Sequence, residues 1–165
     1  MLRQLIVDDY DAAPAYYTAG DNLATGMGVT KDYANNTADL PEAETADNIW
    51  LVQKDRVAYG TLTGIENVSD YDPAFNTFKA GEKVVLYRFK VGSIFATDAY
   101  DTTDLVAANV GKRVAVGTDG KWCLATATAG STAGTASRYV FRGLYNDAGH
   151  TLAKIEVVED ATANA

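Results

Sequence analysis

Two consecutive hairpin patterns, GKRVAVGTDGKWCLATA (residues 111–127) and RYVFRGLYNDAGHTLAKIEVV (residues 138–158), decide the fold class of this chain. In each of them, two runs rich in β-branched and aromatic residues flank a short polar turn that contains glycine. Asp119-Gly120 and Asn146–Gly149 supply residues that adopt the positive φ angles of tight hairpin turns. The stretch therefore predicts an antiparallel meander on which the rest of the chain packs.

Further short strand patterns precede and interleave with this meander. Ile49–Lys54 and Glu82–Val91 are the strongest, and Ile94–Ala96 is a third. The only helical pattern covers Asp104–Val110, preceded by capping threonines and ended by glycine. Short strands separated by turn signals are typical of all-β proteins. We therefore expect an all-β fold, a compact β-barrel, β-tulip or sandwich with at most one short helix, whose barrel domain covers residues 48–160.

The first 47 residues differ in composition from the rest. A short strand pattern over residues 1–10 is followed by a segment of Ala, Thr, Asn, Gly and acids with few large aliphatic residues. Such a segment has little apolar surface with which to offset its own ordering entropy. Yet it carries Tyr16, Tyr17 and Tyr33, more aromatic content than a spacer usually has. We predict an extended, acidic N-terminal arm over residues 1–47 that lies over its own barrel or over a neighbouring subunit; a disordered linker is the alternative.

The net charge of −8 is unevenly distributed along the chain. Residues 1–50 hold nine acids against two bases, Arg3 and Lys31, which makes a net charge of −7. This argues against nucleic-acid binding, because neutralising phosphates needs clustered Lys and Arg. No secretory signal follows the start, and no apolar run approaches the roughly 20 residues of a membrane helix. We expect no membrane contact and synthesis in a reducing cytoplasm.

The residues able to carry catalysis are few. The only histidine, His150, follows a hairpin turn, and a catalytic triad or a zinc site would have to use it. With no second histidine to complete a zinc site, a polar residue flanking a turn is the better interpretation. The only cysteine, Cys123, excludes an internal disulfide and lies in an apolar strand pattern, where a small buried side chain is expected rather than a nucleophile.

Acidic and glycine-rich clusters also lack the spacing of known sites. Their members are Asp8, Asp9 and Asp11; Asp98, Asp101 and Asp104; Asp70 and Asp72; Gly26–Gly28; and Ala129–Gly134. The acids do not match a calcium loop, and the two in SDYDP are typical of a turn rather than of a glycosidase pair. The glycines match neither the dinucleotide nor the phosphate-loop pattern, and indicate flexible or closely packed backbone. We therefore expect no enzyme activity, no metal and no cofactor.

Three segments carry a resemblance to a known family. Gly81–Val91 contains a glycine followed by a VVL strand, Gly111–Gly120 lies in the DLVAANVGKRVAVGTDGK segment, and Ile155–Val158 is a final aliphatic strand. In these features residues 79–158 resemble the head decoration, or cement, proteins of tailed bacteriophages. The resemblance covers about half of the chain and implies a compact β-barrel or β-tulip.

The same resemblance implies a function and partners. It implies a virion protein that is synthesised in the host bacterial cytoplasm and lies on the capsid exterior. There a homotrimer would clamp neighbouring subunits of the major capsid protein. Strand addition by the arm and burial of aromatic surface would provide the binding, with Tyr16, Tyr17 and Tyr33 as arm contacts and Trp50 as an anchor. Two alternatives stay open: a glycan- or host-binding module, such as a head fibre or adhesin domain, and a structural protein of the tail or neck.

Overall fold

The computed structural model describes residues 1–7, 9–53, 76–126 and 134–164. The fold is all-β, as predicted. Its strands are β1 (Leu2–Ile6), β2 (Tyr10–Ala19), β3 (Leu23–Ala24), β4 (Gly28–Asp32), β5 (Thr37–Asp39), β6 (Trp50–Gln53), β7 (Thr77–Phe78), β8 (Lys83–Phe89), β9 (Ile94–Thr97), β10 (Arg113–Val116), β11 (Trp122–Leu124), β12 (Ser137–Asp147) and β13 (His150–Thr162). They form a six-stranded sheet, a closed five-stranded barrel and the small pair β3–β7.

The six-stranded sheet contains both predicted hairpins. Its order is β1-β9-β13-β12-β10-β11, and every neighbouring pair is antiparallel. In the first hairpin Val114 lies opposite Leu124, and in the second Phe141 lies opposite Ile155. Gly120 in the first turn has a φ of 77°, the conformation that the Asp-Gly pattern predicts. The meander prediction is confirmed, and β1 and β9 extend it at one edge.

The closed barrel has the order β2-β5-β4-β6-β8 and corrects the predicted domain organisation. Residues 1–47 do not form an extended arm, because β2, β4 and β5 are three of the five barrel strands and β1 belongs to the large sheet. The barrel is also not confined to residues 48–160, since that boundary divides it between β5 and β6. Of the three segments that carry the family resemblance, the first lies in the barrel and the other two lie in the large sheet.

The composition of residues 11–47 led to a wrong prediction because most of the large apolar side chains of the barrel core come from other strands. The buried cluster of the barrel strands includes Ala19 and Ala38, which are 2% and 0% exposed. Residues 11–47 add only two larger buried side chains, Leu23 and Val29. The other larger side chains of the cluster lie on β6, β7 and β8: Trp50, Val52, Phe78, Val84 and Leu86. Small and large side chains often alternate in the interior of a small barrel, so a segment that supplies mainly the small ones can still be part of the barrel wall.

The second buried cluster joins the barrel to the large sheet. Along β6 successive side chains alternate, so that Trp50 belongs to the barrel cluster whereas Leu51 belongs to the cluster against the sheet. Three aromatic rings contact one another in a row across this layer. Their centroid distances are 5.4 Å from Phe89 to Phe95 and 5.5 Å from Phe95 to Trp122. These separations suit tilted aromatic packing, and the rings connect a barrel strand to the sheet.

A short glycine-containing segment fixes the barrel against the sheet. The carbonyl oxygen of Gly26 accepts hydrogen bonds from Trp122 Nε1 and Thr97 Oγ1, each at 3.2 Å. The amide of Gly28 donates to the carbonyl oxygen of Gly120 at 2.9 Å. Gly26 has a φ of 92°, which favours glycine. The glycines of this segment are closely packed backbone, one of the two interpretations that their sequence allowed.

The predicted helix over Asp104–Val110 is reduced to a 3₁₀-helix at Ala107–Asn109. The Asp104 carboxylate accepts a hydrogen bond from the amide of Leu124 at 3.2 Å. The Asn109 side chain donates to the carbonyl oxygen of Asp104 at 2.8 Å. These side-chain bonds satisfy the backbone in a non-helical arrangement, and so compete with the helix that the apolar pattern favoured.

Candidate binding surface at the barrel mouth

One end of the barrel brings together two aromatic rings and two basic side chains. We call this set, Tyr17, Lys31, Trp50 and Arg88, the barrel mouth. Each member lies two positions from a buried barrel residue on the same strand: Tyr17 from Ala19, Lys31 from Val29, Trp50 from Val52 and Arg88 from Leu86. Because side chains alternate along a strand, all four project from the face that lines the barrel.

The geometry of the barrel mouth centres on Lys31. Its ammonium nitrogen lies 3.0 Å from the centroid of the Trp50 ring and 4.6 Å from that of the Tyr17 ring. The guanidinium carbon of Arg88 lies 6.0 Å from the Trp50 centroid. Cations over the faces of aromatic rings are attracted by the ring quadrupole, most strongly over Trp. The rings therefore hold the Lys31 side chain in place.

The two cations differ in their ionic partners. Arg88 Nε lies 2.8 Å from Asp11 Oδ2, and Arg88 also reaches the Asn48 carboxamide oxygen at 3.5 Å. Lys31 has no carboxylate within ion-pair distance among the residues that the structure describes. Burial lowers the pKa of Lys31 below its usual value, and the nearby Arg88 charge lowers it further. The mouth therefore carries one positive charge that no acid in the described chain neutralises.

Two exposed tyrosines flank the mouth in sequence. Tyr16 on β2 is 63% exposed, and Tyr33 in the turn between β4 and β5 is 77% exposed. The Asp32 side chain fixes this turn, because its carboxylate accepts hydrogen bonds from the amides of Ala34 and Asn35 at 2.8 and 3.2 Å. A carboxylate that bonds to backbone amides ahead of it forms a local turn. Tyr33 is therefore presented to solvent on an ordered backbone.

The strand beside this surface is only partly paired. β5 pairs with β2 at Thr18 and Ala19, so earlier β2 residues have β8 on one side and no described strand on the other. Pro14 lies in this edge and supplies no amide donor, and the β2–β8 register is irregular between Tyr10 and Ala15. Prolines and bulges are features that prevent pairing with another chain. Residues 1–47 are folded into the protein, so the prediction that a free arm binds its partner by strand addition is wrong.

The four residues predicted to form contacts fall into two groups. Tyr16 and Tyr33 are exposed, whereas Tyr17 is half-buried and Trp50 is only 6% exposed. Trp50 is therefore a core residue whose outer ring face is covered by Lys31, and it is not an exposed anchor. The structure brings Tyr17 and Trp50 together.

Sequence reasoning did not single out Lys31 and Arg88 as site residues. One signal for Lys31 was present, because it is one of only two bases in the first 50 residues. Its contact with Trp50, however, joins different strands, and no local pattern predicts that contact. The same holds for Arg88, which lies on a third strand.

The thiol of Cys123 is half-buried beside the carbonyl oxygen of Ala115, with a sulfur–oxygen distance of 3.7 Å. Burial raises the pKa of the Cys123 thiol to about 12, and nearby carboxylates, Glu44 first among them, contribute to the shift. The thiol is therefore protonated at neutral pH. A protonated thiol is a poor nucleophile, in line with the structural role that its sequence context indicates.

The acidic clusters have structural partners rather than a common ligand. Asp9 pairs with Lys90, Asp98 pairs with the Met1 amino group, and Asp101 accepts hydrogen bonds from Thr103. Within the described ranges, no group of three His, Cys, Asp or Glu side chains is arranged to hold a metal ion. Asp8, Asp70, Asp72 and most of Ala129–Gly134 lie outside the described residues.

The only histidine lies at the first position of β13 and is exposed. His150 thus flanks the hairpin turn, as predicted from the sequence.

Across the described segments, no helix has the length and apolar character needed to cross a membrane. Comparisons with protein-family models, with curated proteins and with solved structures found no significant match.

Proposed function

We propose that this protein is a structural component of a phage virion. It binds the outer surface of the capsid as a homotrimer and stabilises the contacts between neighbouring major capsid subunits. The observation that carries the proposal is the pair of exposed tyrosines, Tyr16 at 63% and Tyr33 at 77%, on the barrel strand β2 and in the turn between β4 and β5. The sequence resemblance to head decoration proteins supports the choice of partner.

The physical argument rests on how tyrosine contributes to protein interfaces. A tyrosine offers a large apolar ring and a polar hydroxyl, and it loses little conformational entropy on binding because it has only two side-chain torsions. The turn of Tyr33 is ordered by Asp32 before any partner arrives. Ordering a contact residue in advance reduces the entropic cost of association. The surface is therefore suited to a flat protein partner.

A glycan-binding module is the alternative from another class. Glycan sites require exposed rings with hydrogen-bonding side chains available beside them. Near Tyr33, however, the Asn35 side-chain amide donates to the Asp32 carboxylate at 2.7 Å, and both side chains are occupied with the turn. Trp50 is covered by Lys31 and is not available to stack on a sugar. These contacts favour a protein partner.

Co-sedimentation with capsids tests the proposal. Capsids of the cognate phage, assembled without this protein, are mixed with the wild type, with the Y16A/Y33A double variant, and with L144A as the control. Leu144 is 45% exposed and lies on β12 of the large sheet, which is not a barrel strand. We expect the wild type and L144A to co-sediment equally. We expect Y16A/Y33A to bind at least about tenfold more weakly, as expected for a lost hot-spot contact of more than about 1.4 kcal/mol.

Two outcomes contradict the proposal. Wild-type protein that does not bind capsids but binds purified tails or necks assigns it to another part of the virion. Wild-type protein that binds neither, but is retained by cell-wall polysaccharide, supports the glycan-binding module. Light scattering of the free and the capsid-released protein checks the trimer, since a monomer under both conditions contradicts that part of the proposal.

A further inference from the structure

We propose that the barrel mouth binds a carboxylate of an acidic side chain on the protein partner, with the Lys31 ammonium group as its hydrogen-bond donor. The Lys31 nitrogen is held 3.0 Å from the Trp50 centroid, and no described carboxylate pairs with it. This inference names the chemistry of the partner and rests on the proposed protein-binding surface.

The first argument is the state of the Lys31 ammonium group. A lysine normally extends into water or pairs with an acid, because a partly buried cation without a partner is costly. Lys31 is instead turned back over two rings, and the guanidinium carbon of Arg88 lies 6.0 Å from the centroid of one of them, Trp50. The rings attract the cation but accept no conventional hydrogen bonds. The donors of the ammonium group are therefore available to an incoming oxygen.

The second argument concerns the charge of the ligand. Asp11 already neutralises Arg88 at 2.8 Å, so among the residues that the structure describes the mouth has an excess of one positive charge. A carboxylate brings one negative charge and matches this excess. A phosphate group brings up to two charges, and the second would be repelled by the Asp11 carboxylate beside the site. The mouth therefore fits an aspartate or glutamate side chain better than it fits a phosphate.

The third argument is the position of the mouth on the surface. Lys31 is two residues before Tyr33, and the Tyr17 ring that it contacts is adjacent in sequence to Tyr16. Side chains alternate along β2, so the Tyr16 side chain points away from the face that carries Tyr17, and the link to the mouth rests on Tyr33. A partner segment that covers Tyr33 therefore lies close to the mouth. Aromatic contacts around a charged pair exclude water, and an ionic hydrogen bond is stronger where water is excluded.

The indole signals of the two tryptophans provide the test. The chain has two Trp residues, and Trp122 is fully buried against the carbonyl oxygen of Gly26, so its indole N–H serves as an internal reference. A blocked hexaglutamate peptide is titrated into the ¹⁵N-labelled protein. We expect the Trp50 indole signal to shift and the Trp122 signal to stay in place. Inorganic phosphate and a blocked hexalysine peptide serve as comparison probes.

Three variants make the test specific to the site. Lys31→Met removes the charge and keeps the aliphatic stem, Lys31→Arg keeps the charge, and Lys112→Met removes a charge from an exposed position on the large-sheet side. We expect K31M to weaken binding of the peptide by about tenfold or more, as for a lost charge-assisted hydrogen bond. K31R retains part of the affinity, and K112M binds like the wild type. Urea unfolding of K31M checks that the variant is folded.

The outcomes separate this inference from the proposed function. The carboxylate site is refuted if the Trp50 indole signal does not shift when hexaglutamate is added. It is also refuted if the signal shifts as much in K31M as in the wild type. Stronger binding of phosphate than of hexaglutamate also refutes it. If K31M binds capsids as tightly as the wild type while Y16A/Y33A does not, the proposed function survives and the inference fails. If hexaglutamate binds through Lys31 but capsids do not bind at all, the inference survives and the proposed function fails.

Discussion

Glycine is required for two separable reasons in this fold, and three alanine substitutions distinguish them. Gly26 has a φ of 92°, and an added Cβ there would lie 2.1 Å from Thr97 Oγ1. Gly81 has the same φ of 92° with nothing within 4 Å of an added Cβ. Gly28 has no positive φ, but its added Cβ would lie 2.4 Å from Val116 Cγ2. G81A, G28A and G26A therefore measure backbone strain, crowding, and both together.

The expected losses in the free energy of unfolding follow from these contacts. A positive φ costs an alanine roughly 1–2 kcal/mol, of which the lower entropy of the unfolded chain returns part, so we expect about 1 kcal/mol for G81A. Crowding in a packed interior costs about 1–3 kcal/mol, which we expect for G28A. In G26A both terms act, and the carbonyl oxygen that accepts from Trp122 and Thr97 must also move. We expect about 3–5 kcal/mol there.

Urea unfolding followed by intrinsic tryptophan fluorescence measures all three losses. An unchanged slope of free energy against urea concentration is needed, so that the shift in midpoint reports stability alone. The reasoning predicts that G26A loses clearly more than G81A. A difference of less than about 0.5 kcal/mol, the size of ordinary surface effects, would refute the assigned crowding at the junction.

Three further predictions concern single side chains. Trp122→Phe removes the 3.2 Å hydrogen bond to Gly26, and we expect a loss of about 1–3 kcal/mol in urea unfolding; an unchanged midpoint contradicts that role. Burial raises the pKa of Glu44, but the hydrogen bonds from Thr126 and Thr135 together outweigh it, and the net pKa lies below the usual 4.5. The contribution of Glu44 to the free energy of unfolding is therefore present above pH 4.5 and is lost as the pH falls through the folded pKa. In Glu44→Gln, this loss should be absent from a plot of the free energy of unfolding against pH. Because its pKa is about 12, the Cys123 thiol should react with a disulfide reagent at pH 8 only after urea unfolding, and rapid native labelling contradicts its burial.

The hairpins of the large sheet were predictable because their information is local. The turn between β10 and β11 requires a positive φ at Gly120, and the Asp-Gly dipeptide predicts such a turn. The strand pattern of β8 was similarly readable, with observed bounds of Lys83–Phe89 inside the predicted Glu82–Val91. Such features need only neighbours in sequence, and therefore a single sequence predicts them.

The candidate site was only partly predictable. Tyr16 and Tyr33 were identified by residue type, because exposed tyrosines are frequent in interfaces. Their exposure, and the burial of Trp50, depend on how β2, β4 and β6 close the barrel. Lys31 could not be predicted as a site residue, because only the closure of the barrel places its ammonium group over the ring of Trp50.

By itself the sequence determined the all-β class, the two hairpins and the absence of an internal disulfide in a chain with one cysteine. Only the tertiary structure decided that residues 10–53 build most of a barrel. Its strands close through non-local pairs, such as Thr18 with Thr37 and Tyr16 with Val85. Other strands supply most of the large side chains of the barrel interior, so low local hydrophobicity does not distinguish a barrel wall from an arm. Closure is a property of the pairing between distant strands, and no single window of sequence contains it.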